Sequence, residues 1–331
     1  MSLVRAERRR LHKRRVTQAM LAVGLLLLTA IAIGTWFSNQ KVDDATRAAA
    51  QVQAQRDYEQ VNRDWNERYK AQCEDEVKAG RIPAEACVGP QPEDFRAEYY
   101  MPSTFDFKAA SKEMLTVWAV LMGLVALIIG ASSIGAEWSS GGMMNLLTWQ
   151  PRRMKVLGTK LGVLLATVAA WAAAIGVLWV VALWLIGTYR GTTAGMTAGA
   201  WNSFALAGLR GIGVVAAAAT FGFVLASLGR RTAVALGVLL AMFVVLQFGL
   251  TMILYMAQVK YPDLFFVGMH LSAWMTGEEV LHAQSGCDIS SGACQPETLT
   301  LTWQKSGAIF ASGLAALVGV AMWQIRRRDV V

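Results

Sequence analysis

Apolar residues in this chain do not alternate with polar ones. They clump into six runs, at 20–37, 114–136, 157–186, 204–228, 233–257 and 307–325. A helix needs about 20 predominantly apolar residues to cross a bilayer. In lipid each backbone amide must find its partner within the segment, so all six runs are predicted to be helical spans. The third is long enough to tilt or to protrude. The 38–113 segment between the first two spans is hydrophilic. Within it Val42, Ala45, Ala49, Val52, Tyr58, Val61, Trp65 and Tyr69 approximate a helical stripe, and no proline intervenes before Pro83. A long helix is expected to leave the membrane, turn near Gly80-Arg81-Ile82-Pro83 and return irregularly past Pro90, Pro92 and Pro102. The 262–275 stretch is apolar but too short to span, which suits a re-entrant or interfacial segment covered by protein.

Composition agrees. Of 331 residues 55% are hydrophobic and 16% charged, against roughly 45–50% and 25% in ordinary soluble domains. An even number of spans puts both termini on one side. The N-terminal arm of 1–19, the 137–156 segment with Lys160, the 229–232 turn and the 326–331 tail together hold sixteen positive side chains. They hold three acids, Glu7, Glu137 and Asp329; the other side has fifteen positives and twenty acids. Excess Lys and Arg mark the cytoplasmic face. The expected fold is therefore an all-α membrane protein with six transmembrane helices, both termini cytoplasmic, and a helical extracytoplasmic insert between the first and second spans. The 187–203 loop and the 258–306 segment fall outside. The basic balance, with a pI near 9.5, then reports orientation and attraction to anionic membrane lipid rather than nucleic-acid binding. A signal peptide would also combine a basic start with an apolar stretch. Thr35-Trp36-Phe37 is a poor cleavage site, and Trp36 suits the outer interface, so the first run reads as a retained anchor.

Cys73, Cys87, Cys287 and Cys294 all fall in outer segments, where disulfides form. Four cysteines allow three pairings, of which Cys73–Cys87 with Cys287–Cys294 needs least rearrangement. A zinc site is the alternative, but the spacings do not resemble a CxxC pair, so no metal is expected. Polar side chains inside apolar runs are candidates for a substrate path. Arg210 and Gln247 qualify, with Phe243 and Tyr255 beside Gln247 on the fifth run. The bland alternatives are that Arg210 snorkels to the outer headgroups and that Gln247 bonds a neighbouring helix. Trp171, Trp179 and Trp184 on the third span read as lipid-facing anchors or as the lining of a path. Phe95, Tyr99, Tyr100, Phe105 and Phe107 read as a small core or as a binding surface. No phosphate-binding GxxxxGK[ST] loop, GxSxG elbow or HExxH motif is present. No catalytic constellation emerges, and the chain is not expected to bind nucleotide itself.

The most informative stretch is 137–160, EWSSGGMMNLLTWQPRRMKVLGTK. Leu146, Trp149, Pro151 and Arg153 sit near helical spacing, so 140–150 is predicted to form a short helix with one apolar face. Pro151 stops it, because the residue before a proline is pushed away from helical angles. Such a helix can fill a groove on a soluble partner. An acid at Glu137, a glycine at Gly141, the pair Leu146-Leu147, then Pro151, Arg153 and a lysine nine residues after the proline at Lys160 resemble the loop between the second and third spans of type-2 ATP-binding-cassette (ABC) exporter permeases. Gly142-Met143 stands where that family usually carries Thr-Leu.

The resemblance implies a coupling site for a separate ATP-binding-cassette ATPase subunit, formed by Glu137, Gly141, Met144, Leu146, Leu147, Trp149, Pro151, Arg152, Arg153 and Lys160. Glu137, Arg152 and Arg153 would fix the helix ends by ionic contacts, while Met144, Leu147 and Trp149 fill the groove. It implies ATP and Mg bound by that partner, with no cofactor in this chain. It also implies a dimer with a second permease copy or paralogue, and a multi-pass location in the bacterial plasma (inner) membrane. The expected function is outward transport of an amphipathic substrate. The rival is an envelope complex that transmits a signal or force through the outer insert.

Overall fold

The computed structural model of the chain describes residues 3–149, 152–283 and 297–327. The helices in chain order are α1 (Leu3–Lys13), α2 (Arg15–Ser38), α3 (Asp44–Asp64), α4 (Lys70–Lys78), α5 (Phe107–Ser139) and α6 (Gly142–Trp149). They continue with α7 (Arg153–Arg190), α8 (Ala198–Gly229), α9 (Thr232–Val244), α10 (Thr251–Met256), α11 (Val267–Thr276) and α12 (Trp303–Arg327). Four short strands accompany them: β1 (Phe105–Asp106), β2 (Gly191–Thr192), β3 (Glu278–His282) and β4 (Thr298–Thr302). Six helical segments are long and apolar enough to cross a membrane: α2, α5, α7, α8, the Thr232–Met256 stretch and α12. They correspond one for one to the six apolar runs.

The chain divides into two compact units, one of residues 1–32, 108–183 and 195–331, the other of 33–107 and 184–194. In the first, α5 and α8 cross so closely that a Cβ added at Gly130 would lie 2.1 Å from the Ala219 carbonyl oxygen. One added at Gly222 would lie 2.1 Å from the Leu127 carbonyl oxygen. Only glycine permits that backbone approach, the usual device where helices pack in lipid without a hydrophobic driving force. Trp118, 1% exposed, fills the core of this unit. Trp179 is also buried, and its indole N–H donates to the Met114 carbonyl at 3.0 Å. It is therefore a packing residue between α5 and α7, neither a lipid anchor nor part of a path. Trp184 is exposed.

The segment expected to be re-entrant forms a single turn at Pro262–Phe265 followed by α11, packed against α8 and α12. Here β3 and β4 pair antiparallel, Glu278 opposite Thr302, and Leu281 and Leu301 join Ala273 in a small core. His270 is buried, its ring nitrogens 3.3 Å from Ser306 Oγ and 2.8 Å from the Leu264 carbonyl.

The second unit holds the predicted insert. Asp43 caps α3, its carboxylate accepting from the Thr46 amide and hydroxyl at 2.7 and 2.6 Å. These bonds hold the Asp43 carboxyl below its ordinary value. One π-helical turn at Trp65–Tyr69 joins α3 to α4. The return is irregular, as its prolines implied: three short 3-10 turns between Ala84 and Tyr100. Tyr58 meets Phe95 edge-on at 5.7 Å, while Phe105 and Phe107 are buried and Tyr99 is exposed. The aromatic group is thus mostly a small core. A disulfide joins Cys73 to Cys87, with Cα atoms 5.8 Å apart. Cys287 and Cys294 lie outside the described residues.

Candidate functional site

The short helix expected between the second and third spans is α6, eight residues long. Gly141 adopts φ +72°, a left-handed angle that glycine tolerates, and there the chain turns from α5 into α6. Met143 is fully buried beneath the helix, Met144 is exposed and Leu146 is half-buried. Pro151 lies outside the described residues. Leu147 and Trp149 belong to the helix by position. Arg152 is exposed and Arg153 half-buried.

Between the helices that precede and follow α6 the structure assembles a compact charge cluster. Lys160, on the first turns of α7, has a side chain only 4% exposed. Its ammonium lies 2.6 Å from Glu137 Oε2 on α5 and 2.8 Å from Glu7 Oε1 on α1. Arg14, between α1 and α2, binds the other oxygen of Glu137 at 2.6 Å and donates its second terminal nitrogen to the Ser132 carbonyl at 2.8 Å. Arg10 stands 3.7 Å from Glu7, at the rim. Two carboxylates and two cations therefore neutralise one another in a nearly dry setting. Buried charges are tolerated when paired in this way, and removing one partner is far more costly than removing a surface charge. The cluster ties the last turns of α5, the first turns of α7 and the N-terminal helix to one another. Both chain segments that hold α6 are fixed by it.

Glu137 and Lys160 thus lie inside the protein and pair with each other across the two chain segments that flank α6. Glu7 and Arg14 had no place in the sequence-based site, where residues 1–19 read as a basic arm. A signal was available. Glu7 is the only acid in the first 42 residues, and Glu137 the only acid from 114 to 262. Isolated acids on a strongly basic face call for a cationic partner.

The candidate path residues do not converge. Arg210 is half-buried on α8, its guanidinium 4.8 Å over the ring of Trp303, the first residue of α12. Its backbone carbonyl accepts from the Trp274 indole at 3.1 Å. It stands at the end of the α12 span, where a tryptophan and an arginine suit the interface. Gln247, Phe243 and Tyr255 lie along the fifth span and are exposed. Gln247 occupies a π-helical turn, Val245–Leu250, and Phe243 faces Phe248 edge-on at 6.4 Å. Single π turns inside helices often mark functional positions.

Six spanning helices, a short helix slung between the second and third, and a buried charge cluster at its feet define a multi-pass membrane protein of the transporter-permease class. The chain belongs to the ABC-2 family transporter proteins, whose family model matches residues 12–281. No curated protein matches it. Members of this family are transmembrane subunits, generally not catalytic themselves, that usually work with an ABC ATPase partner.

Proposed function

We propose that this chain is the permease subunit of an ABC exporter in a bacterial inner membrane. It would work as a dimer with a second copy or paralogue and move an amphipathic substrate outward. ATP and Mg would be held by the separate ATPase subunit, and α6 would be the element on which that subunit pushes. One observation carries the reading: α6 is an eight-residue helix whose two flanking helices are locked together by the Glu7–Lys160–Glu137–Arg14 cluster. A push on a helix so mounted moves the α5 and α7 spans as bodies, which is how rigid elements transmit domain closure. Lack of packing along the fifth span supports a second copy or a path there, since Phe243, Gln247 and Tyr255 have no cover.

Co-purification in detergent with the ATPase subunit, together with substrate-stimulated ATP hydrolysis, tests the reading. Met144→Glu and Trp149→Ala are expected to release the ATPase or uncouple its hydrolysis from transport. Burying a tryptophan anchor contributes on the order of 2–4 kcal/mol. Val177→Glu would disturb lipid contact and is no control, so Val177→Ala, on an exposed span position, serves instead and is expected to leave the partner bound. Full coupling in both α6 variants would mean that the loop is only a connector. The disulfide-clipped outer unit favours the second reading, transmission of force or signal across the envelope. Reconstituted vesicles that hydrolyse ATP with full coupling to an outer partner but accumulate no substrate would favour it.

A further inference from the structure

One face of α1 is spent on the charge cluster, through Glu7 and the buried Leu11. The other face is not. Among the described residues, no carboxylate pairs with Arg5, Arg8, Arg9 or Lys13. These four cations, with His12, form one wall of an open groove of about 580 Å³. The facing wall belongs to α7 and is made of Ala166, Thr167, Ala170 and Trp171, with no acid in the lining. His12 closes one end by packing edge-on against Trp171, ring centroids 4.9 Å apart.

The depth of this groove follows from the length of α7. The helix has 38 residues, about 57 Å at 1.5 Å per residue, roughly twice the hydrocarbon thickness of a bilayer. Trp171 lies nineteen residues before its end at Arg190, a rise of about 28 Å, or one hydrocarbon thickness. Arg190 stacks on Trp36 at 4.8 Å, an arginine–tryptophan pair suited to one interface; with that pair as the reference level, Trp171 falls at the other, again a level tryptophan prefers. The α1 cations then lie at headgroup depth. From the groove an exposed apolar track continues along α7 through Ala174, Val177, Leu178 and Val181.

We propose that this groove is a binding site for an anionic glycerophospholipid. The phosphate would lie against Arg5, Arg8 and Arg9, the glycerol backbone beside Ala166 and Ala170, and an acyl chain along the α7 track. Clustered Lys and Arg attract anionic headgroups at the membrane surface, each contributing to affinity within a Debye length. An apolar wall that runs on into the hydrocarbon adds what a free phosphate cannot use. The site is independent of the ATPase reading and requires only that the chain be membrane-embedded. It also gives the N-terminal helix a second role, since a lipid held there would sit directly behind the Glu7 contact that anchors α6.

The test is native mass spectrometry of the full chain in detergent, with phosphatidylglycerol or phosphatidylcholine added. Phosphatidylglycerol is expected to remain bound and phosphatidylcholine to be lost. Arg8→Gln/Arg9→Gln, both exposed positions, is expected to weaken phosphatidylglycerol retention about tenfold or more. Arg326→Gln/Arg327→Gln removes the same charge from the end of α12 and is expected to change it little. Ala170→Glu, on the facing wall, is expected to weaken retention as well, and glycerol phosphate without acyl chains is expected not to compete. Equal loss in the two double variants would reduce the effect to diffuse surface charge and overturn the site. So would unchanged retention in Arg8→Gln/Arg9→Gln, or competition by glycerol phosphate. Loss of the ATPase subunit by that variant with lipid retention intact would assign the basic face to the protein partner instead.

Discussion

Replacing Lys160 by methionine removes the one ammonium shared by Glu7 and Glu137, at 2.8 and 2.6 Å, while roughly conserving side-chain volume. The two carboxylates, each about 10% exposed, are then left facing one another with only Arg14 and the rim Arg10 for compensation. At about 5 Å in an effective dielectric of about 20, their repulsion is roughly 3 kcal/mol. Breaking a buried pair by deleting one partner costs about 3–5 kcal/mol in measured cases. That cost falls on the local structure that closes the α5–α6–α7 loop. Backbone amides of 134–160 are therefore expected to exchange with solvent about 10²- to 10³-fold faster in Lys160→Met, measured by hydrogen-exchange mass spectrometry in detergent. The triple variant Glu7→Gln/Glu137→Gln/Lys160→Met removes the repulsion and is expected to recover most of the protection, since a buried ion cluster replaced as a whole is often neutral. Less than a tenfold change in Lys160→Met, or no recovery in the triple variant, would refute the view that the cluster carries the α6 loop.

Three further expectations follow from the packing and from the second unit. Gly130→Val sets a side chain against the Ala219 carbonyl, where backbone cannot yield, so α5 and α8 are expected to separate and the purified protein to aggregate on size-exclusion chromatography, while Gly237→Val, with open space around it, behaves as wild type. Cys73→Ser opens a loop of about fifteen residues, worth about 3 kcal/mol in the chain-entropy model, and is expected to make the 70–90 region protease-sensitive without affecting membrane insertion. The Glu76 carboxyl is held below its ordinary value of 4.5 by the Arg81 guanidinium; a lowered folded value means that this clip stabilises the turn above pH 4.5 and is lost as the pH falls through the folded value, so amide protection at 76–81 is expected to drop on acidification in wild type and to be flat with pH in Glu76→Gln.

The spans were legible because bilayer thickness alone sets their length, and each apolar run could be read without knowing its neighbours. α6 was legible for a related reason: its limits depend on local chemistry, with a left-handed glycine at one end. The faces of the spans were not legible. α7 is apolar around its whole circumference, so periodicity cannot say that Trp179 points at α5 while Trp171 points at α1. Arg210 required a partner 93 residues away, Trp303, before its depth could be assigned. The charge cluster was hidden for the same reason, since Glu7 and Lys160 are joined only by the tertiary fold. Charge counting treated the acids of the basic face as a remainder, whereas Glu7 and Glu137 both converge on Lys160.

That convergence also imposes an order on biogenesis. A ribosome adds about 5–20 residues per second, so Glu7 is synthesised roughly 8–30 s before Lys160. Through that interval the N-terminal helix has a carboxylate and a row of cations but no internal ammonium to receive it. α1 can settle only after the second span has delivered Glu137 and the third has begun to emerge. The lysine near the start of α7 is the last member of the cluster to be made, so its arrival completes the pairing of both carboxylates. A chain whose third span fails to insert leaves Glu137 with Arg14 alone and Glu7 with only the rim Arg10, a half-made charge cluster at the base of its first two helices.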